Sequence, residues 1–327
     1  MKNLPFVIAL VFSVLVTAGF TTSGDEPSTP DPVIAAAGDI ACAPGDPNFN
    51  DGQGTADFCA QGRTSDLLVG RDYDAVLALG DLQYRSGSLP EFLGSYDPSW
   101  GRVKSITHPV PGNHDNLTDG TSGYFDYFNG VDNLTGPAGE RGKGYYSFDL
   151  GEWHLIALNS NCGSAGVGGG CGSESPQVEW LRTDLQENSE ARCTLAFWHI
   201  PRFSSTSDPD REPLRSFWRA LYEYDADLIL NGHSHAYERL EPSDHDGQVD
   251  TDRGIREFIV GTGGRNHSEP GFKPLPNSAG VYNYDTFGIL RMTLHPTSYD
   301  WQFVPEPNAP IGDDGAVFSD SGSADCH

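Results

Sequence analysis

The chain has 327 residues, with 46 acidic side chains against 20 Lys and Arg and a formal net charge of −26. That balance excludes a surface built to hold nucleic acid or an anionic bilayer, because both are repelled by it. With 37% hydrophobic residues the chain can bury a sizeable core, while 39 Gly and 23 Pro exclude a helical bundle in favour of a loop-rich fold.

At the amino end, Lys2, an apolar run over 4–16 and the small residues of Val16-Thr17-Ala18 read as a secretory signal over 1–18. The run is short for a membrane span, so no stable membrane association and an extracellular location are expected. Residues 19–32 are rich in Thr, Ser, Pro, Asp and Glu and read as a flexible amino-terminal stretch. No long linker or repeat follows, and 33–327 is taken as one domain.

Short apolar runs over 33–37, 75–79, 108–111, 194–198 and 228–230 each end in a turn containing Gly, Asn or His, the pattern of buried strands. Residues 144–158 read as a hairpin about Leu150-Gly151. Ser175-Pro176 opens a helix carrying Val178, Leu181 and Leu185. The spacing of Leu214, Phe217, Trp218, Leu221 and Tyr222 predicts an amphipathic helix over 212–224. Residues 257–260, 287–293 and 298–303 read as antiparallel strands. Strands alternating with helices predict an α/β fold.

The six cysteines, in a chain read as exported, suggest disulfides. Local spacing favours Cys42–Cys59 and Cys162–Cys171, leaving Cys193–Cys326, although fifteen pairings exist. Without a CxxC pair, a zinc cluster is disfavoured.

Metal-ligating residue types stand just after strand after strand: Asp39, Asp81, Asn113, His199, His233 and His235. Open α/β sheets collect such strand-end residues into one crevice. Carboxylates with imidazoles suit first-row cations, and a carboxylate can bridge two of them.

Gly38-Asp39, Gly80-Asp81, Gly112-Asn113-His114-Asp115, His199 and Gly232-His233-Ser234-His235 resemble, in order, the five blocks of calcineurin-like metallophosphoesterases. Tyr84, three residues after Asp81, and the run 232–239 narrow the resemblance to purple acid phosphatases. The resemblance implies a four-layer α/β sandwich of two mixed β-sheets flanked by helices. It implies that Asp39, Tyr84, Asp81 and His235 hold Fe3+, and that Asp81, Asn113, His199 and His233 hold Fe2+, Mn2+ or Zn2+. It further implies attack on a small phosphate monoester by a metal-bound hydroxide. His114, oriented by Asp115, stands beside the leaving group, and Asn113 faces the substrate. A phosphodiesterase or nucleotide hydrolase of the same superfamily and a metal-bearing binding protein remain the alternative readings. The sequence leaves the oligomeric state open.

Two departures stand out. Ile40-Ala41 follows Asp39 where the purple phosphatases carry x-Gly, and no further His follows His199 within 200–205. Arg202 is the candidate phosphate contact in that stretch. The length leaves no room for the amino-terminal β domain of the large plant forms. The cleft wall is assigned to 116–143, 161–175 and 202–212. His267 is a candidate rim residue, and Asn116, Asn133 and Asn266 head glycosylation sequons. The acidic runs at 46–51 and 244–252 read as solvated loops.

Overall fold

The computed structural model describes Met1 and residues 30–163, 167–206, 212–267, 273–312 and 315–327; the signal reading at 1–18 and most of the 19–32 stretch lie outside the described residues. Asp31–His327 forms one compact unit.

Thirteen strands among the described residues form two sheets. They are β1 (Val33–Ala37), β2 (Ala75–Ala78), β3 (Thr107–Pro109), β4 (Tyr146–Leu150), β5 (Trp153–Ala157), β6 (Cys193–Trp198), β7 (Leu228–Asn231), β8 (Tyr237–Leu240), β9 (Arg256–Val260), β10 (Ser278–Asn283), β11 (Gly288–His295), β12 (Ser298–Pro305) and β13 (Ser321–Asp325). The six-stranded sheet runs β13-β12-β11-β1-β2-β3 and the seven-stranded sheet β10-β8-β9-β7-β6-β5-β4. Both are mixed, with parallel centres (β1-β2-β3 and β5-β6-β7-β9) and antiparallel flanks.

Alternation within the central strands explains the layering. Leu155, Leu195, Phe197, Leu228 and Leu230 face the six-stranded sheet and share its core with Ile34, Val76 and Leu290. Their neighbours Ile156, Ala196, Trp198 and Ile229 face the other way, onto a second core that includes Val178, Leu181, Phe217 and Trp218. These last four belong to the helices that cover that face. Because β6 is buried along its whole length, it reads as a continuous apolar run.

The helices are α1 (Gln61–Ser65), α2 (Leu89–Glu91), α3 (Ser122–Asn129), α4 (Pro176–Glu187) and α5 (Arg215–Glu223). Ser175 caps α4 through the Val178 amide, with Pro176 at the first turn. The stretch read as one helix over 212–224 is a 3-10 turn, Glu212–Leu214, leading into α5.

The hairpin, β11 and β12 stand where the sequence places them. β9 is a correction: it pairs antiparallel with β8 but parallel with β7. Parallel pairing there brings β9 into the central block of the sheet. Disulfides join Cys42–Cys59, Cys162–Cys171 and Cys193–Cys326, as local spacing favours. No described helix is long and apolar enough to cross a membrane.

Candidate metal centre

The parallel centres of both sheets deliver their carboxyl ends to one place. Asp39 follows β1, Asp81 and Tyr84 follow β2, Asn113 and His114 follow β3, His199 follows β6, and His233 and His235 follow β7. Asp39, Asp81 and His233 all adopt positive φ (59°, 48° and 68°), a costly backbone for residues with a Cβ that is concentrated at functional sites. Gly112 permits a close approach, since a Cβ there would lie 2.0 Å from the Asp81 amide nitrogen.

The side chains form one connected network. Tyr84 Oη lies 2.9 Å from both Asp39 Oδ1 and Asp81 Oδ2, and 3.1 Å from His235 Nε2. His235 Nε2 is also 3.1 Å from Asp39 Oδ1. His199 Nε2 lies 3.4 Å from Asp81 Oδ2, 3.2 Å from Asn113 Oδ1 and 3.2 Å from His233 Nδ1. Asp81 thus stands between two groups of donors: Asp39, Tyr84 and His235 on one side, and Asn113, His199 and His233 on the other. Ligand atoms of Asp81, His199 and His233 all fall within 4.8 Å of one another.

Backbone groups fix which atoms face inward. His199 Nδ1 donates to the Leu79 carbonyl at 2.9 Å, leaving Nε2 for the cluster. Asp39 Oδ2 accepts from the His233 amide and Asp81 Oδ1 from the His114 amide, each at 2.7 Å.

The electrostatics are those of charge gathered on buried side chains. Burial alone would raise the Asp81 carboxyl, yet His199 and then His114 hold it well below the usual carboxylate range. Asp39 is likewise lowered by His235 against its burial. For His199, burial works downward, but Asp81 carries the imidazole up to about 9. Burial, then Asp39 and Asp81, push the Tyr84 phenol far above its ordinary value. The two buried carboxylates raise the facing imidazoles of His199 and His235, and bound cations can supply the same compensating charge. The donor set of carboxylate, phenol, amide oxygen and imidazole fits a pair of cations.

His114 lies beside this network, its ring centroid 4.4 Å from that of Tyr84. Its Nδ1 donates to the Arg85 carbonyl at 2.8 Å, and Nε2 is 4.0 Å from Asp81 Oδ2. Asp115 differs from its sequence reading. Its carboxylate accepts from the amides of Leu82, Gln83 and Gly112 at 3.0, 3.1 and 2.9 Å, so it ties the β2 and β3 loops together and the Arg85 carbonyl orients His114. Burial, then the Asp81 charge, bring its carboxyl up to about 7.

Arg202 is also a correction. It is 3% exposed, donates from Nε to the His245 carbonyl at 3.2 Å and lies 3.6 Å from Glu212. A guanidinium so enclosed is not presented to a substrate. Sequence reasoning missed Asn266, whose Oδ1 lies 3.0 Å from His235 Nδ1. Its Nδ2 donates to the His267 carbonyl. His267 stacks on Phe287 with centroids 3.9 Å apart. Arg265 was missed too; its guanidinium lies 5.1 Å over the Tyr84 ring. No short-range pattern in the sequence marks either residue as part of a metal centre.

The chain is 29% identical over 204 residues to purple acid phosphatase 15 of Arabidopsis thaliana, covering 53% of this chain and 37% of that protein. It is 26% identical over 259 residues to acid phosphatase type 7 of Danio rerio, covering 68% and 56%. The chain therefore spans about half the length of these curated relatives. In fold it is similar to the purple acid phosphatase PPD1 of yellow lupin seeds, with a TM-score of 0.64 and 18% identity over 90% of this chain and 54% of that one. It is also similar in fold to GAP50 of Plasmodium, with a TM-score of 0.59 and 14% identity over 91% and 90%. Residues 33–237 match the family model described as calcineurin-like phosphoesterase, and the chain belongs to that family as a purple acid phosphatase-like member.

Proposed function

We propose that the protein is a secreted, binuclear metal-dependent phosphatase acting on small phosphate monoesters. The observation that carries this reading is the position of Asp81, within 3.4 Å of Tyr84 on one side and His199 on the other, at the centre of seven donor residues from five separate turns. Asp39, Tyr84, Asp81 and His235 would hold one ion, ferric in the reading that uses the phenol. Asp81, Asn113, His199 and His233 would hold a divalent one. When bound, two cations supply Lewis-acid charge to the phosphoryl group and a nucleophile from water.

The protein's own residues do the rest. The positive-φ turns at Asp39, Asp81 and His233 hold the carboxylates and imidazole at fixed separation. Asn113 presents its amide to the substrate side. His114, held by the Arg85 carbonyl through Nδ1, aims Nε2 into the cleft and delivers a proton to the departing ester oxygen. The three disulfides support an extracellular location.

The test is steady-state assay of the metal-loaded protein on an aryl phosphate and an aryl diester. The monoester is turned over, Asp81→Asn abolishes turnover, and His114→Ala lowers kcat by roughly a hundredfold. Preferential turnover of the diester would reassign the substrate class. No turnover of either ester would remove the hydrolase reading.

A further inference from the structure

Beside the candidate centre lies a cavity of about 380 Å³, lined by the 43–47 loop, Tyr84, Arg85, Glu91 and Arg265. Tyr84 belongs to both spaces. Its hydroxyl meets Asp39 and Asp81, and its ring forms part of the cavity wall. The cavity is built rather than incidental. The Cys42–Cys59 disulfide anchors the base of the 43–47 loop. Asp46 closes that loop by accepting from the Asn48 amide at 2.9 Å, and lies 3.6 Å from Arg265. Arg265 in turn donates to Cys42 Sγ at 3.3 Å.

The lining holds two carboxylates and two guanidiniums, but the charges are not equally engaged. Glu91 accepts from the amides of Arg85, Ser86 and Ser88 and from the hydroxyls of Ser86 and Ser88, which absorb its charge. Asp46 is paired with Arg265. The Arg85 guanidinium is exposed and makes no hydrogen bond or ion pair with a described residue. The same residue's carbonyl holds His114. A bidentate anion donor with no partner among the described residues therefore stands one residue from Tyr84, on a chain whose formal net charge is −26.

We infer that this cavity is a subsite for a second anionic group on the leaving portion of the ester, with Arg85 as its principal contact and Arg265 as a supporting one. The substrates it favours are phosphate esters that carry a further phosphate or carboxylate. The inference rests on the phosphoesterase reading and names the substrate class of that same site. Arg85 acts here as a specificity residue through its side chain, whereas its carbonyl, which any substitution retains, positions His114.

The test compares phenyl phosphate with resorcinol bisphosphate, which differ by one phosphate on the leaving group. The metal-loaded full chain is expected to prefer the bisphosphate in kcat/KM. Arg85→Gln is expected to lower the ratio of the two about tenfold, mainly through KM, and added salt narrows the wild-type preference. Arg192→Gln, which removes a charge before β6 at the end opposite His199, leaves the ratio unchanged and controls for net charge. No wild-type preference, or an unchanged ratio in Arg85→Gln, overturns the subsite. Titration with phenylphosphonate and its meta-bisphosphonate reads the same subsite without turnover. Arg85→Gln is expected to weaken the bisphosphonate several-fold more than the monophosphonate, and equal weakening overturns the inference. Absence of turnover on both esters refutes the hydrolase reading alone, and the phosphonate titration then still decides the subsite.

Discussion

His235 Nδ1 donates to Asn266 Oδ1 across 3.0 Å, and this single bond determines that Nε2 is the nitrogen facing Asp39 and Tyr84. A ligating imidazole needs such a partner to fix its tautomer and ring plane. Asn266→Ala removes it while leaving every donor of the centre in place. Affinity for one of the two ions is expected to fall about 10- to 100-fold. Metal content after competition with a graded chelator series measures this. Loss of both ions in step, or of neither, would break the assignment of Asn266 to one half of the centre.

Tyr84→Phe tests the other side of the same half. The ring stays wedged against His114, at 4.4 Å, and beneath Arg265, at 5.1 Å, so the fold should hold. Only the phenol oxygen is lost. If Tyr84 binds ferric iron, wild type carries a visible charge-transfer band that the variant lacks, while both retain iron by elemental analysis. A colourless ferric wild type would remove Tyr84 from the ligand set and leave the remaining six residues.

Ion removal should be legible in stability as well as in activity. Without ions, the two buried carboxylates are left with the imidazoles of His199 and His235 and the hydrogen bond of the Tyr84 hydroxyl. An ion present at a hundred times its Kd adds about 2.7 kcal/mol to the folded state. Chelation is therefore expected to lower the thermal midpoint, and readdition of divalent cation to restore it. Asp81→Asn, which removes the residue shared by both halves, should flatten that response. An equal metal-dependent shift in the variant would place the stabilising ion elsewhere.

How much of this was readable beforehand depends on what each residue's signal was. Asp39, Asp81 and His233 were legible because each sits at the Gly-ended terminus of a buried apolar run. Asn266 was not: it lies 31 residues beyond His235 and reaches the site through a loop with no periodicity. Asp115 was misread because adjacency to His114 says nothing about where a carboxylate points, and three backbone amides outcompete the ring. β9 was misread in direction because the apolar pattern within a strand does not encode its partner's orientation. β13, Ser-Gly-Ser-Ala-Asp, carries almost no apolar signal and is held by pairing with β12 and by the neighbouring Cys326 bridge.

That bridge should matter most among the three. Cys193–Cys326 spans a sequence separation of 133, against 9 for Cys162–Cys171. Loop-closure entropy predicts about 5 kcal/mol for the first and about 3 kcal/mol for the second. Paired Cys→Ala variants compared by denaturant unfolding should fall in that order. The reverse order would mean that native packing, rather than chain entropy, dominates the contribution of these bridges.

His154 offers a pH test remote from the centre. Its ring is 3% exposed, with Nδ1 at 2.8 Å from Asp149 and Nε2 at 2.9 Å from Asp184. Burial would lower this imidazole, but Asp184 and then Asp149 carry it above its ordinary value. A group whose folded-state pKa is raised stabilises when protonated. The contribution is complete below the ordinary value of about 6.5 and is lost as pH rises through the raised one. His154→Gln should therefore cost more thermal stability at about pH 5.5 than at about pH 9, since the charge-dependent part of the wild type's advantage declines as pH rises above the ordinary value. Unfolding curves of both proteins at the two values decide it. Equal losses at both would mean that the ring contributes by packing alone and that its two carboxylate contacts carry no net charge coupling.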